Sequence, residues 1–205
     1  MKPSSSSSAG VPGLEVALDV ISPELSARVR AHLMNEDRHH VSEIITDSER
    51  HLAPRLTSSY SDAPLSLDGM QRSLPWTDSL AQVRDVVARR FDAHFNYALA
   101  NLYRDRADHT GWHCDKASLH EPGSKIAIVS FGATRSLEVR PLAGGVTSRF
   151  ELIDSSVALM DLNMQQTHEH RIPPERRETN SRLSITLREI IILPKYLNHS
   201  DQPSS

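Results

Sequence analysis

The sequence predicts an α+β fold with helices packed on one face of a β-sandwich or barrel. Two observations carry this. Near the N-terminus apolar residues recur every three or four positions, and from Tyr97 onward the pattern alternates with period two between breaks at Gly, Pro, Asn or Asp. Helical periodicity followed by many short strands with hairpin-length connections is the pattern of helices gathered on one side of a sheet-rich core.

Residues 16–21 form a short apolar run and are expected to be a strand. Ser22-Pro23 then opens a helix: the serine caps, the proline takes the first helical position, and Leu25, Val29 and Leu33 recur every four residues. A second helix is expected from Thr77 or Asp78, with Leu80, Val83, Val87 and Phe91 as its buried stripe. Between them, residues 47–75 are polar, carry Pro54, Pro64 and Pro75, and show weak periodicity. That stretch is expected to be a long functional or mobile loop. Strands are expected at 97–103, 125–131, 136–140, 149–153, 157–162 and 182–192, with Gly144-Gly145 as a hairpin turn.

No repeat or interior linker divides the 205 residues, a length that suits one domain. The expected organisation is a single domain over 14–196 between disordered tails at 1–13 and 197–205, the first a serine run with no apolar centre. One cysteine excludes a disulfide framework and a multi-cysteine zinc site, so any metal must use His and carboxylate. No apolar run approaches the ~20 residues that span a bilayer, so no membrane partner is expected. A soluble monomer in the cytoplasm or nucleus is the default expectation. The formal net charge of −3 gives no global basic footprint, which leaves a nucleic-acid surface to local charge alone.

His113-Cys114-Asp115 sets two ligand types two residues apart, on one side of an extended segment, with Cys114 turned away. Alone, such a pair reads equally as a polar turn after Gly111-Trp112. A third ligand downstream, His168 or His170, would complete two histidines and a carboxylate. That facial triad leaves open positions suited to non-haem Fe(II), with Zn(II) as the chemical alternative. In the last strand Arg182, Ser184, Thr186 and Arg188 alternate with Leu183, Ile185 and Leu187. Such a polar face lies either in water or against a buried polar ligand. Guanidinium forks with amide and phenol groups, as in Asn101-Leu102-Tyr103, suit a buried dicarboxylate.

Asn101 to Asp105, Gly111 to Asp115, Ser130 to Arg135, His170-Arg171-Ile172-Pro173 and Arg182 to Arg188 resemble, in order and spacing, the AlkB-like family of 2-oxoglutarate oxygenases. The resemblance covers about residues 54–190. It implies a double-stranded β-helix (jelly-roll) with the N-terminal helices on one face, and Fe(II) held by His113, Asp115 and His170. The family's ligand precedes one variable residue and an apolar-Pro pair, which favours His170 over His168. It further implies 2-oxoglutarate held by Asn101, Tyr103, Arg182, Ser184 and Arg188, with O2 as second cosubstrate. The implied activity is oxidative demethylation of N-alkylated bases in DNA or RNA. The alternatives are a same-fold oxygenase that hydroxylates or demethylates a small molecule or protein side chain, and a non-catalytic binding barrel.

Pro54-Arg55 with Tyr60 resembles the family's lid element, so Arg55, Tyr60 and Trp112 are the candidate substrate contacts, with Tyr60 suited to stack on an extruded base. The chain departs from the family pattern in three places. It has Ala117 and Ser118 where many members carry an acid, Ser184 where Asn is usual, and no Trp shortly before the third ligand.

Overall fold

Residues 10–45, 50–67 and 72–197 are described by the computed structural model. The chain enters along β1 (Leu14–Ala17). It stops extending at Asp19, whose φ of 54° no strand accommodates, so the first strand lies earlier than expected. Helix α1 (Pro23–Leu33) starts as its cap dictates, with Ser22 Oγ accepting from the Leu25 amide at 3.3 Å. Helix α2 (Asp78–Phe91) repeats the device, Thr77 Oγ1 accepting from the Leu80 amide at 3.3 Å. Its expected stripe of Leu80, Val83, Val87 and Phe91 is buried.

Between the helices the expectation of a long loop is corrected. The chain forms β2 (His40–Ile45) and β3 (Arg50–Ser61), paired antiparallel. The strand hides from a hydropathy reading because Thr57, Ser58, Ser59 and Ser61 are buried hydroxyls, not apolar side chains. Each finds a partner or a neighbouring strand: Ser58 bonds His39 Nδ1 at 3.0 Å, and Ser61 bonds Ser73. Residues 47–49 and 68–71 of the expected loop lie outside the described residues.

The remaining strands are β4 (Tyr97–Tyr103), β5 (Thr110–His113), β6 (Lys125–Gly132), β7 (Arg135–Pro141), β8 (Ser148–Leu152), β9 (Val157–Asp161), β10 (His168–Ile172) and β11 (Arg182–Arg188). A one-turn helix, α3 (Met164–Thr167), precedes β10. Gly144 and Gly145, both at positive φ, turn β7 into β8 as expected. Gly132 is required by space as well as by its φ of 86°: a Cβ there would lie 2.8 Å from the Ser181 carbonyl.

Two sheets result, one in the order β1-β9-β6-β11-β4-β3-β2 and one in the order β5-β10-β7-β8. One face of the larger sheet packs on α1 and α2 through Ala98, Ala100, Val129, Leu183, Ile185 and Leu187. The other face meets the smaller sheet through Ile126, Ile128, Leu137, Val139, Leu152 and Ile172. Fully burying each aliphatic side chain contributes ~1.5–3 kcal/mol. Covering both faces turns the polar side of β11 inward, so Arg182, Ser184 and Thr186 are buried. The expected tails fall mostly at 1–9 and 198–205, outside the described residues.

Candidate active site

The smaller sheet opens toward the larger around an interior cavity. It is lined by Asn101 and Tyr103 of β4, Thr110 and His113 of β5, His170 and Ile172 of β10, and Ser184, Thr186 and Arg188 of β11, with Arg55 and Asp115. β5 and β10 pair antiparallel with His113 opposite His170, which brings the two imidazole centroids to 4.3 Å. Asp115 follows two residues beyond His113, and its Oδ2 lies 3.8 Å from His170 Nε2. One ligand atom from each of His113, Asp115 and His170 falls within 4.8 Å of the others, and His168 is not part of this group.

Each group is prepared differently. His113 Nδ1 is 3.0 Å from the Gly111 carbonyl, which can only accept, so the proton sits on Nδ1 and the Nε2 lone pair is free. Burial pushes the His170 imidazole down to about 4, with His113 adding to the shift, so it is neutral at pH 7. Burial alone would raise the Asp115 carboxyl, but Arg188, His170 and His113 outweigh it and hold it well below the usual carboxylate range. Arg188 Nη2 donates to Asp115 Oδ1 at 2.7 Å, and Gln165 Oε1 accepts from the Asp115 amide at 2.9 Å. Two imidazole nitrogens and one ionised carboxylate at converging distances are the donor set that suits a divalent iron.

The cosubstrate candidates divide. Asn101, Tyr103, Ser184 and Arg188 line the cavity, with Tyr103 Oη 2.9 Å from Thr110 Oγ1. Arg182 is not itself a lining residue and lies directly behind Tyr103, which is. Its guanidinium is fully buried 5.2 Å from the Tyr103 ring centroid. There Nη2 donates to Ser130 Oγ at 2.9 Å, while Nε and Nη1 make no hydrogen bond of good geometry among the described residues. Burial, reinforced by Arg135, pushes Arg182 down to about 10, which still leaves it charged at neutral pH. A buried cation without a carboxylate partner is costly, and a carboxylate is the group that would satisfy its two remaining donors. The cavity therefore fits both an iron and a dicarboxylate.

Of the three expected substrate contacts only Arg55 is at the cavity, its Nε donating to Asn101 Oδ1 at 2.8 Å. Tyr60 is corrected. It is 2% exposed and belongs to the helix-side core, pairing in register with Ala98, because alternate residues of β3 face opposite ways. Its hydroxyl lies 3.5 Å from Ser58 Oγ, and the ring offers no face to a base. Trp112 is corrected as well: it falls between Thr110 and His113 on a short strand and lies outside the cavity wall, against Arg140 and Arg171.

Sequence reading missed Thr110, Gln165 and Arg135. Arg135, 1% exposed, donates to the carbonyls of Asp105, Asp108 and Pro173 and so ties together the loops before β5 and after β10. Its place in Ser130 to Arg135 was the available signal. Thr110 and Gln165 had none.

A protein-family model described as the 2OG-Fe(II) oxygenase superfamily matches residues 21–188. The chain belongs to that superfamily, whose cofactors are Fe(II) and 2-oxoglutarate. Within it the chain is AlkB-like. It is 34% identical over 152 residues to the mouse (Mus musculus) DNA oxidative demethylase ALKBH2, covering 69% of this chain and 64% of that one. It is 28% identical over 162 residues to the cattle (Bos taurus) alpha-ketoglutarate-dependent dioxygenase alkB homolog 3, covering 74% of this chain and 57% of that one. The chain thus spans less than two thirds of these curated relatives. The solved structure of OsALKBH1 shares the fold at a TM-score of 0.63 and 14% identity, covering 89% of this chain and all of that one. No described helix is long and apolar enough to cross a membrane.

Proposed function

We propose that the chain is an Fe(II)- and 2-oxoglutarate-dependent dioxygenase that oxidatively demethylates N-alkylated bases in nucleic acid. The observation that carries this is the convergence of His113, Asp115 and His170 beside a buried, incompletely paired Arg182. His113 and His170 would ligate through nitrogen and Asp115 through its carboxylate. Arg182 and Arg188, with Asn101, Tyr103 and Ser184, would hold the 2-oxoglutarate carboxylates and keto group. When bound, iron with 2-oxoglutarate and O2 supplies a two-electron oxidation that releases succinate and CO2 and converts a substrate N–CH3 to N–CH2OH, which collapses to formaldehyde and the restored base. The residues' own work is positional. Arg188 holds the Asp115 carboxylate ionised and aimed, and Gly111 fixes the His113 tautomer. Leu137, Ile128 and Ile172 give the cavity dry walls.

A nucleic-acid substrate is supported by charge placed locally on an acidic chain. Beyond the third ligand a groove is lined by Arg149, Arg171, Pro173, Glu175, Arg176 and Arg177. Glu138 pairs with Arg171 and Arg149, and Glu175 with Arg135. Arg176 and Arg177 are exposed and make no ion pair among the described residues, which leaves them for phosphate.

The test is succinate and formaldehyde release across methylated oligonucleotides and free methylated nucleosides. Oligonucleotide binding is expected to weaken steeply with salt through counterion release. Arg176→Gln with Arg177→Gln is expected to reduce the salt slope by about two, one per phosphate contact, and to leave nucleoside turnover unchanged. Turnover confined to nucleosides, with no oligonucleotide binding at low salt, would reverse the substrate assignment.

A further inference from the structure

Trp112 is adjacent to His113 in β5, and two guanidiniums lie over its indole ring: Cζ of Arg140 at 4.1 Å and Cζ of Arg171 at 4.5 Å from the centroid. Neither arginine is loose. Arg140 Nε donates to Glu169 at 2.6 Å, and Arg171 Nε donates to Glu138 at 2.7 Å. The four charged residues come from β7 and β10, where Glu169 pairs with Arg140 and Arg171 with Glu138 in register. The ring of one edge-strand residue is therefore gripped by the two strands beside it.

The grip matters because β5 has little else. It is a four-residue edge strand whose pairing with β10 consists of His113 with His170 and Thr110 with Ile172, with a register shift between them. The neighbouring ligands are held more firmly. His170 sits in a strand paired on both sides, and Asp115 is fixed by Arg188 and Gln165. The Nδ1 bond of His113 goes to Gly111 in the same strand, so it turns with that strand and cannot anchor it. Successive residues of a strand point to opposite faces, so fixing the Trp112 ring fixes the twist of β5 and with it the aim of His113.

We infer that Arg140, Trp112 and Arg171 form a positioning clamp that aims the His113 imidazole at the metal position from the outer face of the smaller sheet. This rests on the reading of His113 as a metal ligand. The clamp explains why a tryptophan stands beside a ligand without entering the cavity. It also assigns Arg140 and Arg171 a task distinct from that of the exposed Arg176 and Arg177.

The experiment titrates Co(II) into metal-free full-length protein and follows its visible absorption, with the thermal midpoint of each metal-free variant recorded alongside. Trp112→Ala is expected to weaken Co(II) binding about ten-fold, as loss of a group that orients a ligand does. Trp112→Phe, which keeps a ring face for the guanidiniums, is expected to recover most of that loss. The double variant Arg140→Gln with Arg171→Gln leaves Trp112 in place and is expected to weaken Co(II) to a similar degree. That double variant decides the matter if Trp112→Ala does not fold. Parent-like Co(II) binding in Trp112→Ala or in the double variant, while His113→Ala loses it, overturns the clamp and leaves the ligand set standing. A Trp112→Ala loss that Phe does not restore also overturns it. Parent-like binding in His113→Ala overturns the ligand set itself.

Discussion

His113, Asp115 and His170 come from two neighbouring segments, and in the proposed site each supplies one of the three protein donors found among the described residues. Replacing any one by Ala is expected to abolish Fe(II)-dependent succinate release and to weaken metal binding at least ten-fold, with far-ultraviolet circular dichroism retained. His168→Ala is expected to keep most of the activity, because that side chain stands apart from the group and its Nδ1 meets Thr167 Oγ1. The reverse pattern in the two histidine variants would reassign the third ligand. Arg182 and Arg188 differ in what Lys can replace. At Arg182 a planar fork with two remaining donors is buried, and at Arg188 one Nη already serves Asp115. Lys at either position is expected to raise the 2-oxoglutarate KM about ten-fold or more, with the Arg188 variant also losing metal affinity. Unchanged KM in both would remove these arginines from the cosubstrate site.

At the scale of elements, β3 shows how a strand can carry two jobs on its two faces. Arg55 meets the cavity, while Tyr60 packs with Leu80, Ala98 and Ala100 beneath the helices. Tyr60→Ala is therefore expected to cost ~3–5 kcal/mol of unfolding free energy, as for a large aromatic removed from a core. Tyr60→Phe is expected to stay within about 1 kcal/mol and to leave substrate KM unchanged. Denaturant melts with parallel turnover assays read both, and a rise in KM for Phe would return Tyr60 to the substrate site. β4 and β6 were legible to within a residue because apolar residues alternate or run on along them. β3 was not, because a strand with hydroxyls buried on both faces carries no hydropathy signal. β5 and β10 escaped for a different reason. Their ligand residues look like turn or loop residues until the partner strand is known.

For the whole molecule, acid is the informative stress. His39 and His120 are buried, and burial lowers both imidazoles below their ordinary value. His39 is committed as a neutral ring, with Nε2 donating to the Leu33 carbonyl at 2.7 Å and Nδ1 accepting from Ser58 at 3.0 Å. The unfolded chain takes up these protons first, near pH 6.5, so it binds more protons than the folded chain below that pH. Stability is thus full above about pH 6.5 and is lost as pH falls through the lowered folded values. Metal-free protein is expected to show a urea midpoint that falls as pH drops through a window beginning near about 6.5. His39→Gln, which keeps a side-chain amide near both partners, is expected to flatten that fall. A midpoint flat over this window would mean that neither histidine is held neutral by the fold.

By itself the sequence determined the helix starts, most strands of the larger sheet and the Gly144-Gly145 hairpin. These depend on local chemistry, a capping hydroxyl or an alternating pattern, whereas the metal and cosubstrate candidates rested on the resemblance to the AlkB-like family. What only the tertiary structure decided is which way the side chains face. Whether the polar side of β11 meets water or a cavity depends on what covers the sheet, and here the smaller sheet covers it. Likewise Tyr60 is turned away from the cavity by strand parity, and Trp112 by its place next to the inward-facing His113. A one-residue phase difference sends a side chain to the opposite face, and phase relative to a partner strand is a property of the pairing, not of the segment.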